Sequence, residues 1–335
     1  MNDVLLVTGG MGFIGSNFVR FMRRTKQMDI VVLDKLTYAG NPANLKDLVD
    51  SKEIRFVKGD ICDPETVEPL VKKAKVIVNF AAETHVDRSI HYGLEFARTD
   101  VFGTGVLLEA LRKHPGRRFI QISTDEVYGE AVGRPSKEDD ALFPKSPYAA
   151  SKAGADRLAW SYFTTHGLDI IITRCSNNFG PNQYPEKLVP LLATNAIEGK
   201  PLPVYGDGKN TRDWIHVDDH ANALDMIMDH GKAGEVYNIG SGVERSALDM
   251  ARTVLKHLGK PESLIEHVKD RPGHVKRHAV DTAKVRKDIG WAAERSFDPS
   301  LLSTIDWYRD HPEWWRPIKS GEFRKFYEIQ YGKAA

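Results

Sequence analysis

The sequence predicts an α/β fold built on a doubly wound parallel sheet. Residues 4–34 form a pattern of buried strand, glycine-rich turn, helix and second buried strand, which ends on an acid. Further short apolar runs at 53–63, 74–82 and 117–123 alternate with helical patterns, including a long one over 93–114. Because strands that alternate with helices form parallel crossover units, this order favours one open sheet with helices on both faces.

The glycine turn has the composition of a dinucleotide-binding turn. Gly9, Gly12 and Gly15 allow a tight turn, a close approach to a pyrophosphate and a helix packed against the strand. Asp34 follows Gly15 by 19 residues, a spacing at which its carboxylate can accept hydrogen bonds from an adenosine ribose. That carboxylate would repel a 2′-phosphate, so we predict a Rossmann-like domain that prefers NAD to NADP. The alternative is that Asp34 is only a turn residue at the end of a strand.

Ligands of such sheets bind at the carboxyl ends of the strands. That rule selects the residues that follow each predicted strand: Gly9 to Gly15, Asp34, Asp60, Ala81 to His85, and Ser123 to Tyr128. Asp60 and Ile61 could meet an adenine edge, although the same residues would also suit a solvated turn.

Two further groups of residues point to proton transfer. Thr124, Asp125 and Glu126 follow a predicted strand, where adjacent acids either perform acid–base chemistry or cap the turn. Tyr148 and Lys152 are four residues apart, so they share one face of a helix. A phenol has a reference pKa of about 10, and a lysine ammonium together with a cationic nicotinamide would lower it. An ordinary surface pair is the alternative for this spacing.

Length and composition fit a soluble globular protein of about two domains. The chain has 335 residues, of which 41% are hydrophobic and 28% charged, and its formal net charge of +1 argues against nucleic-acid binding. Cys62 and Cys175 make neither a disulfide framework nor a metal cluster, so we expect reduced thiols in a cytoplasmic protein. No apolar run approaches the ~18 residues of a membrane span, and we expect no leader peptide.

The segment His216–His220 holds two histidines one helical turn apart with two acids between them. A metal site is one interpretation, but no third ligand group is evident. We therefore predict no metal, and a helix start with Asp218 or Asp219 as N-cap. Four aromatic residues near the C-terminus are interpreted as packing residues rather than as a base-stacking platform: Trp307, Tyr308, Trp314 and Trp315.

Taken together, these motifs resemble a known family. T-G-G-x-G-F-I-G and Y-x-x-x-K are typical of the extended short-chain dehydrogenases/reductases, and other stretches resemble the dTDP-glucose 4,6-dehydratases. These stretches are DKLTYAGN (34–41), AAETHVDRS (81–89), STDEVYG (123–129), SPYAASKA (146–153), RCSNNFGPNQYPEKLVP (174–190), GDGKNTRDWIHVDDH (206–220), YNIGSG (237–242) and RPGHVKR (271–277). The Thr-Asp-Glu triplet is the specific part, since sugar-nucleotide epimerases of the same fold lack that acid pair.

The resemblance implies an NAD-binding Rossmann domain of residues 1–174 and 206–240, and a smaller sugar-nucleotide-binding domain of residues 175–205 and 241–335. The implied NAD contacts are Gly9, Gly12, Phe13, Ile14, Gly15, Asp34, Lys35, Thr37, Ala39, Gly40, Asp60, Ile61, Ala81, Ala82, Glu83, Thr99, Tyr148, Lys152, Cys175 and Asn177. The implied nucleotide-sugar contacts are His85, Thr124, Asn178, Lys187, Leu188, Pro203, Tyr205, Arg212, Arg271 and His274.

The implied activity is an NAD-dependent 4,6-dehydration of a nucleoside-diphosphate glucose. Tyr148 would take the proton of the sugar 4-hydroxyl while C4 gives a hydride to NAD, and Lys152 would lower the Tyr148 pKa and hold the nicotinamide ribose. Glu126 would remove the C5 proton and Asp125 would protonate the leaving C6 hydroxyl. Return of the hydride to C6 gives a 4-keto-6-deoxy sugar, and Thr124 would steady the charge on the 4-oxygen.

The substrate and the assembly are less closely specified. The chain has Ala247 where the family usually carries an asparagine, so dTDP-glucose is expected, with UDP- or CDP-glucose as alternatives. A UDP-sugar 4-epimerase or decarboxylase and a non-catalytic NAD-binding module are further alternatives. Family members are commonly homodimers joined by a four-helix bundle, here the helices at 93–114 and 147–166, whose apolar residues could equally pack on the chain's own core. We expect no nucleic-acid and no membrane partner.

Overall fold

A computed structural model describes residues 3–331. Its strands are β1 Val4–Thr8, β2 Asp29–Asp34, β3 Ile54–Lys58, β4 Val76–Asn79, β5 Arg118–Thr124, β6 Ile170–Cys175, β7 Asn177–Phe179, β8 Leu202–Tyr205, β9 Thr211–His216, β10 Val236–Ile239, β11 Glu244–Ser246, β12 Ile265–Val268 and β13 Arg277–His278. Its α-helices are α1 Phe13–Thr25, α2 Lys46–Asp50, α3 Pro64–Lys73, α4 Val86–Phe96, α5 Thr104–Lys113, α6 Pro147–His166, α7 Leu188–Glu198, α8 Val217–His230, α9 Ala247–His257, α10 Ala283–Ile289, α11 Phe297–Asp310, α12 Pro312–Ser320 and α13 Glu322–Tyr331.

The predicted parallel sheet is confirmed. Seven strands pair in the order β10-β6-β5-β4-β1-β2-β3, and every pairing between them is parallel. The chain moves outward from β1 to β3 and then returns to the other side of β1 with β4. This reversal opens a crevice at the carboxyl ends of β1 and β4, which is where ligands of doubly wound sheets bind.

The sheet is covered on both faces because its strands are buried on both sides. Leu5 and Val7 of β1 join the core that contains Phe18 of α1 and Leu224 of α8. Leu6, which points the opposite way, joins the core of α3 and α5. Such continuous apolar strands are typical of parallel sheets between two helical layers.

A third core lies in the C-terminal part of the chain. Tyr308 and Trp315 are fully buried there, and Trp307 and Trp314 pack against the same cluster. This agrees with their interpretation as packing residues. Strand β9 pairs with β7, β11 and β13, and β8 pairs with β12, so two smaller sheets stand beside the large one. The division of the chain into the two domains stays a prediction.

The helix predicted over 93–114 was wrong in its start and its continuity. Helix α4 begins at Val86 and is kinked at Tyr92, and a π-helical turn over Ala97–Gly103 separates it from α5. The wider turn carries the buried Asp100, which accepts a hydrogen bond from the Ser151 hydroxyl at 2.5 Å. The helix predicted over 147–166 has those bounds as α6. Within the described part of the chain, no helix is long and apolar enough to cross a membrane.

Candidate active site

One long cavity follows the carboxyl ends of the parallel strands, from the glycine turn after β1 to the residues after β6. Its wall includes every residue predicted to contact NAD. It also includes the predicted catalytic residues Thr124, Asp125, Glu126, Tyr148 and Lys152. Segments that are far apart in the sequence meet here because parallel strands direct their carboxyl ends to one edge of the sheet.

The glycine turn fits tightly against its neighbours and leaves the start of α1 open. Gly9 has a φ of +69°, and a Cβ there would lie 2.6 Å from the Ala81 backbone nitrogen. A Cβ on Gly15 would lie 2.5 Å from the Gly9 carbonyl oxygen. Helix α1 has neither a side-chain cap nor an acid in its first turn. Its first backbone N–H groups, at Phe13 and Ile14 in the cavity wall, therefore form a site suited to a phosphate group.

Asp34 has a structural role in addition to its predicted one. Its carboxylate accepts hydrogen bonds from the backbone N–H groups of Met11 at 2.9 Å and Leu36 at 2.7 Å. Burial raises the pKa of Asp34, while these two hydrogen bonds oppose the rise. A carboxylate has about four lone-pair sites, so acceptors remain for ribose hydroxyls in the cavity that Asp34 lines. Beside it, Lys35 pairs with Asp60 at 2.8 Å.

The two predicted acids lie on a short 3₁₀ turn, Asp125–Tyr128, which we call the acid turn. Thr124 caps it by accepting from the Glu126 N–H at 3.3 Å. Asp125 is 3% exposed, and within the described residues its Oδ2 has no hydrogen-bond partner. Burial, followed by the charges of Glu126 and Asp213, raises the pKa of Asp125 well above its usual range. These effects favour the protonated form of Asp125.

Tyr148 and Lys152 share the cavity-facing side of α6, which starts with Ser146 as N-cap and Pro147 in the first turn. The Lys152 ammonium donates to the Ile122 carbonyl at 2.6 Å, and burial lowers the pKa of Lys152. Burial raises the pKa of Tyr148 well above 10, and negative charges, that of Glu126 first, raise it further. The pKa of Tyr148 in the protein alone is therefore shifted in the direction opposite to the lowering that was expected from Lys152.

Some of the predicted substrate residues line the long cavity, and others line a second cavity. His85, Asn178 and Lys187 line the long cavity, where Lys187 donates to the Thr84 hydroxyl at 2.9 Å. Arg212 and Arg271 instead line a small second cavity that shares two wall residues, Val86 and Glu126, with the first.

The remaining predicted substrate residues lie outside both cavity walls. Tyr205 and His274 surround Arg271, whose guanidinium lies 5.7 Å from the Tyr205 ring, and the Tyr205 and His274 rings are 5.9 Å apart. Leu188 packs against the C-terminal core, and Pro203 belongs to β8.

Comparisons with known proteins agree with this geometry. A family model described as GDP-mannose 4,6 dehydratase matches residues 6–303. A dTDP-glucose 4,6-dehydratase of Streptomyces niveus is 49% identical over 321 residues, which cover 94% of this chain and 96% of that protein. The chain belongs to the dTDP-glucose 4,6-dehydratase family. The crystal structure of DesIV, the dTDP-glucose 4,6-dehydratase of Streptomyces venezuelae with NAD and TYD bound, is 44% identical, covers 94% of this chain and 100% of that one, and has a TM-score of 0.92.

The fold of this dehydratase family member is shared by enzymes of another reaction class. A UDP-glucose 4-epimerase of Thermotoga maritima, solved with UDP-glucose, has a TM-score of 0.86 at 28% identity and covers 92% of this chain and 99% of its own. The fold alone therefore does not select dehydration over epimerisation, and that distinction rests on the residues of the site.

Sequence reasoning missed several residues of the dehydratase's cavities. Thr84, Gln183 and Tyr184 line the long cavity, and Lys145 and His278 line the second one. Thr84, Gln183 and Tyr184 lie inside stretches that carry the family resemblance. Their positions in those stretches could therefore have identified them as residues of the cavity. His85, the residue just before α4, was predicted from the sequence, and its backbone conformation in the structure is a further signal. His85 adopts a φ of +83°, and such strained residues cluster at functional sites.

The segment His216–His220 lies at the junction of β9 and α8, where His220 contacts the predicted substrate residue Asn178. Within residues 3–331, no group of three or more histidines, cysteines, aspartates or glutamates could hold a metal ion. The predicted N-cap was wrong, because the cap of α8 is His216, whose Nδ1 accepts from the Asp218 N–H at 3.2 Å. His220 is fully buried, and its Nδ1 hydrogen-bonds the Asn178 side-chain oxygen at 2.9 Å.

Proposed function

We propose that this protein dehydrates dTDP-glucose to dTDP-4-keto-6-deoxy-glucose and water, with NAD as a permanently recycled cofactor. The observation that carries the proposal is the acid turn. It holds Asp125, whose pKa is raised by burial, next to Glu126, and both line the same cavity as Tyr148. A neutral acid next to a second carboxyl group is the arrangement needed to remove one proton and deliver another.

The residues of the long cavity suit NAD. The open start of α1 suits the pyrophosphate, and the partly free carboxylate of Asp34 suits an adenosine ribose with both hydroxyls. The negative charge of Asp34 would repel the 2′-phosphate of NADP. Bound NAD supplies a reversible two-electron oxidant for the sugar C4. Lys152, on the same wall as Tyr148, is placed to hold the nicotinamide ribose.

Tyr148 acts first, by taking the proton of the sugar 4-hydroxyl. Because burial and the nearby carboxylates raise the pKa of Tyr148, its phenolate needs more positive charge than Lys152 alone provides. A cationic nicotinamide ring beside the phenol would supply that charge, so Tyr148 should remove the proton only when NAD is bound. Thr124 steadies the charge on the 4-oxygen. The hydrogen bond from the Thr124 hydroxyl to Asp125 is long, at 3.3 Å. The hydroxyl can therefore leave Asp125 and donate to the substrate instead.

The acid turn acts second, once the 4-keto group has made the C5 proton acidic. Glu126 removes the C5 proton, and Asp125 gives its proton to the C6 hydroxyl, which leaves as water. The electron pair of the C5–H bond becomes the C5–C6 double bond as the C6–O bond breaks, so the step is balanced. After C6 is reduced, the proton on Glu126 returns to C5.

Mass spectrometry of separate incubations with dTDP-glucose and UDP-glucose tests this proposal. We expect the purified protein with NAD to remove one water from dTDP-glucose, without release of free NADH. Ala247 is the first residue of α9, after the Ser246 cap, so its short side chain removes a possible contact to the nucleotide but not the helix start. Equal or faster dehydration of UDP-glucose would contradict the assignment of dTDP-glucose as the preferred substrate. A product of unchanged mass would identify an epimerase, and no reaction with either would support a binding module.

We also propose that the enzyme is a homodimer joined through α4, the π-helical turn and α6. These neighbouring elements carry large apolar side chains that are exposed in the single chain, including Leu94 at 87% and Phe102 at 57%. Tyr92 and Trp160 belong to the same exposed set. Adjacent exposed apolar residues of this size are typical of a contact surface.

The mass in solution tests the homodimer. We expect a species of twice 37.6 kDa by light scattering. The double variant Leu94→Glu, Phe102→Glu should shift it to the monomer, because the contact would bury unpaired charges. Val132→Glu is the matched control, since Val132 is also exposed but lies outside the three elements. A wild-type monomer would contradict the proposal.

A further inference from the structure

A buried polar cluster lies directly behind the acid turn. We call it the Tyr128 cluster, and its members are Tyr128, Asp156, Arg174 and Asn238, each no more than 5% exposed. The Tyr128 hydroxyl accepts from Arg174 at 2.8 Å and donates to the Asn238 side-chain oxygen at 2.8 Å. Arg174 binds both oxygens of Asp156, at 2.8 and 3.1 Å. The hydroxyl, the guanidinium and the carboxylate thus form one continuous chain of hydrogen bonds.

The cluster joins the two halves of the catalytic machinery. Tyr128 is the last residue of the acid turn that carries Asp125 and Glu126. At the other end of the chain of contacts, Asp156 lies on α6 eight residues after Tyr148 and four after Lys152, and so on the same helical face. A two-oxygen contact to a buried arginine fixes the rotation of α6 as well as its distance from β6.

Neighbouring contacts make the acid turn depend on Tyr128 for its position. The turn is followed by Gly129, which has a φ of +74° and where a Cβ would lie 2.3 Å from the Phe143 carbonyl oxygen. Within residues 3–331, the Thr124 side chain contacts the turn through two hydrogen bonds of 3.3 Å. The 2.8 Å contacts of the Tyr128 hydroxyl are the shortest side-chain hydrogen bonds made by the turn.

We propose that Tyr128 is a positioning residue that keeps the acid turn in register with Tyr148. This rests on the proposed function, in which Tyr148 acts at the sugar 4-oxygen and the acid turn acts at C5 and C6. These atoms lie one to three bonds apart, so both groups must be placed correctly on one bound sugar. A displacement of about 1 Å lowers the rate of such a step by about 10²-fold. Loss of the Tyr128 hydroxyl should therefore slow elimination and spare oxidation.

Single-turnover kinetics of Tyr128→Phe test the proposal. The substitution removes one oxygen and keeps the ring, which lies 4.8 Å from the Arg174 guanidinium, so the fold should be retained. With dTDP-glucose and NAD-loaded enzyme, the absorbance of the reduced cofactor should rise within 2-fold of the wild-type rate. Its decay, which needs elimination, should slow by about 10- to 100-fold. An equal slowing of rise and decay would overturn the proposal, as would no slowing of either.

Tyr162→Phe is the matched control, because it removes a phenol hydroxyl from the same helix α6. That hydroxyl donates to Glu109 at 2.5 Å and lies outside both cavities. We expect wild-type rise and decay for this variant, and a slowed decay in it would overturn the assignment to Tyr128. If wild-type protein forms no dehydrated product, the proposed function itself is wrong. If it does and Tyr128→Phe behaves normally, only the positioning role is wrong.

Arg174→Lys provides a second test that does not alter Tyr128. A lysine keeps the charge opposite Asp156 but cannot also reach the Tyr128 hydroxyl in the same fork-like geometry. We expect the same selective slowing of decay, by about 10-fold or more. A variant that binds NAD normally and decays at the wild-type rate would overturn the proposal.

Discussion

Tyr148→Phe is expected to lower turnover by about 10³-fold while the protein still binds NAD and dTDP-glucose. General base catalysis contributes about 10²- to 10⁴-fold, and the variant loses the only atom of Tyr148 that can accept the 4-hydroxyl proton. The ring itself remains, together with its edge contact to Phe96 at 6.2 Å, so the wall of the cavity should be preserved. Neither the reduced cofactor nor a dehydrated sugar should form.

Single-turnover absorbance and calorimetric binding of NAD measure this effect separately from folding. The pH dependence of the wild-type oxidation step adds a second readout. Burial and nearby negative charges raise the pKa of Tyr148. Oxidation of the sugar should therefore become faster as the pH rises toward the pKa that Tyr148 has with NAD bound. Tyr162→Phe should keep wild-type rates. Formation of reduced cofactor by Tyr148→Phe at more than a tenth of the wild-type rate would show that another group accepts the proton.

The parts of the site that the sequence predicted are those controlled by short-range rules. The positions of Gly9, Asp34 and the acid turn follow from strands that end in small or polar residues, because parallel strands share one ligand-binding edge. The helical spacing of Tyr148 and Lys152 placed both on one wall of the cavity. These inferences need only the periodicity of neighbouring residues and one topological rule.

The parts that could not be predicted depend on contacts between distant segments. The π-helical turn before α5 is stabilised where Asp100 meets Ser151 of another helix, and no local pattern signals that contact. The pKa of Tyr148 is raised by burial and by charges on several elements of the fold. The direction of this shift could therefore be found only from the folded structure. Likewise, Arg212 and Arg271 reach the second cavity through long-range packing rather than through a strand end.

Asp125→Asn is expected to stop the reaction after oxidation, with a loss of about 10²- to 10⁴-fold in dehydration. Burial raises the pKa of Asp125 and so favours its neutral form, and an amide of the same shape should therefore be accommodated with little change in thermal stability. The amide cannot protonate the C6 hydroxyl, which is a poor leaving group without a proton. The reduced cofactor should therefore accumulate, while mass spectrometry shows no loss of water.

The pH dependence of elimination distinguishes the acid from a residue that only shapes the site. A group that must be protonated loses activity as the pH rises through its pKa, and the pKa of Asp125 is raised by burial and by the charges of Glu126 and Asp213. The rate of elimination in the wild-type protein should therefore fall at a higher pH than the usual pKa of an aspartate would give. Asp213→Asn removes one of those charges, so the fall should move to lower pH without loss of activity at neutral pH.

Variants of Asp125 and Glu126 should differ in the exchange of the C5 proton with solvent, and this difference tests the separate roles of the two residues. In Asp125→Asn, Glu126 is intact, so deuterium from the solvent should enter C5 of the oxidised sugar even though water is not lost. In Glu126→Gln, neither exchange nor dehydration should occur, because nothing removes the C5 proton. If both variants exchanged at C5, or if Asp125→Asn dehydrated at the wild-type rate, the division into a base at Glu126 and an acid at Asp125 would be wrong.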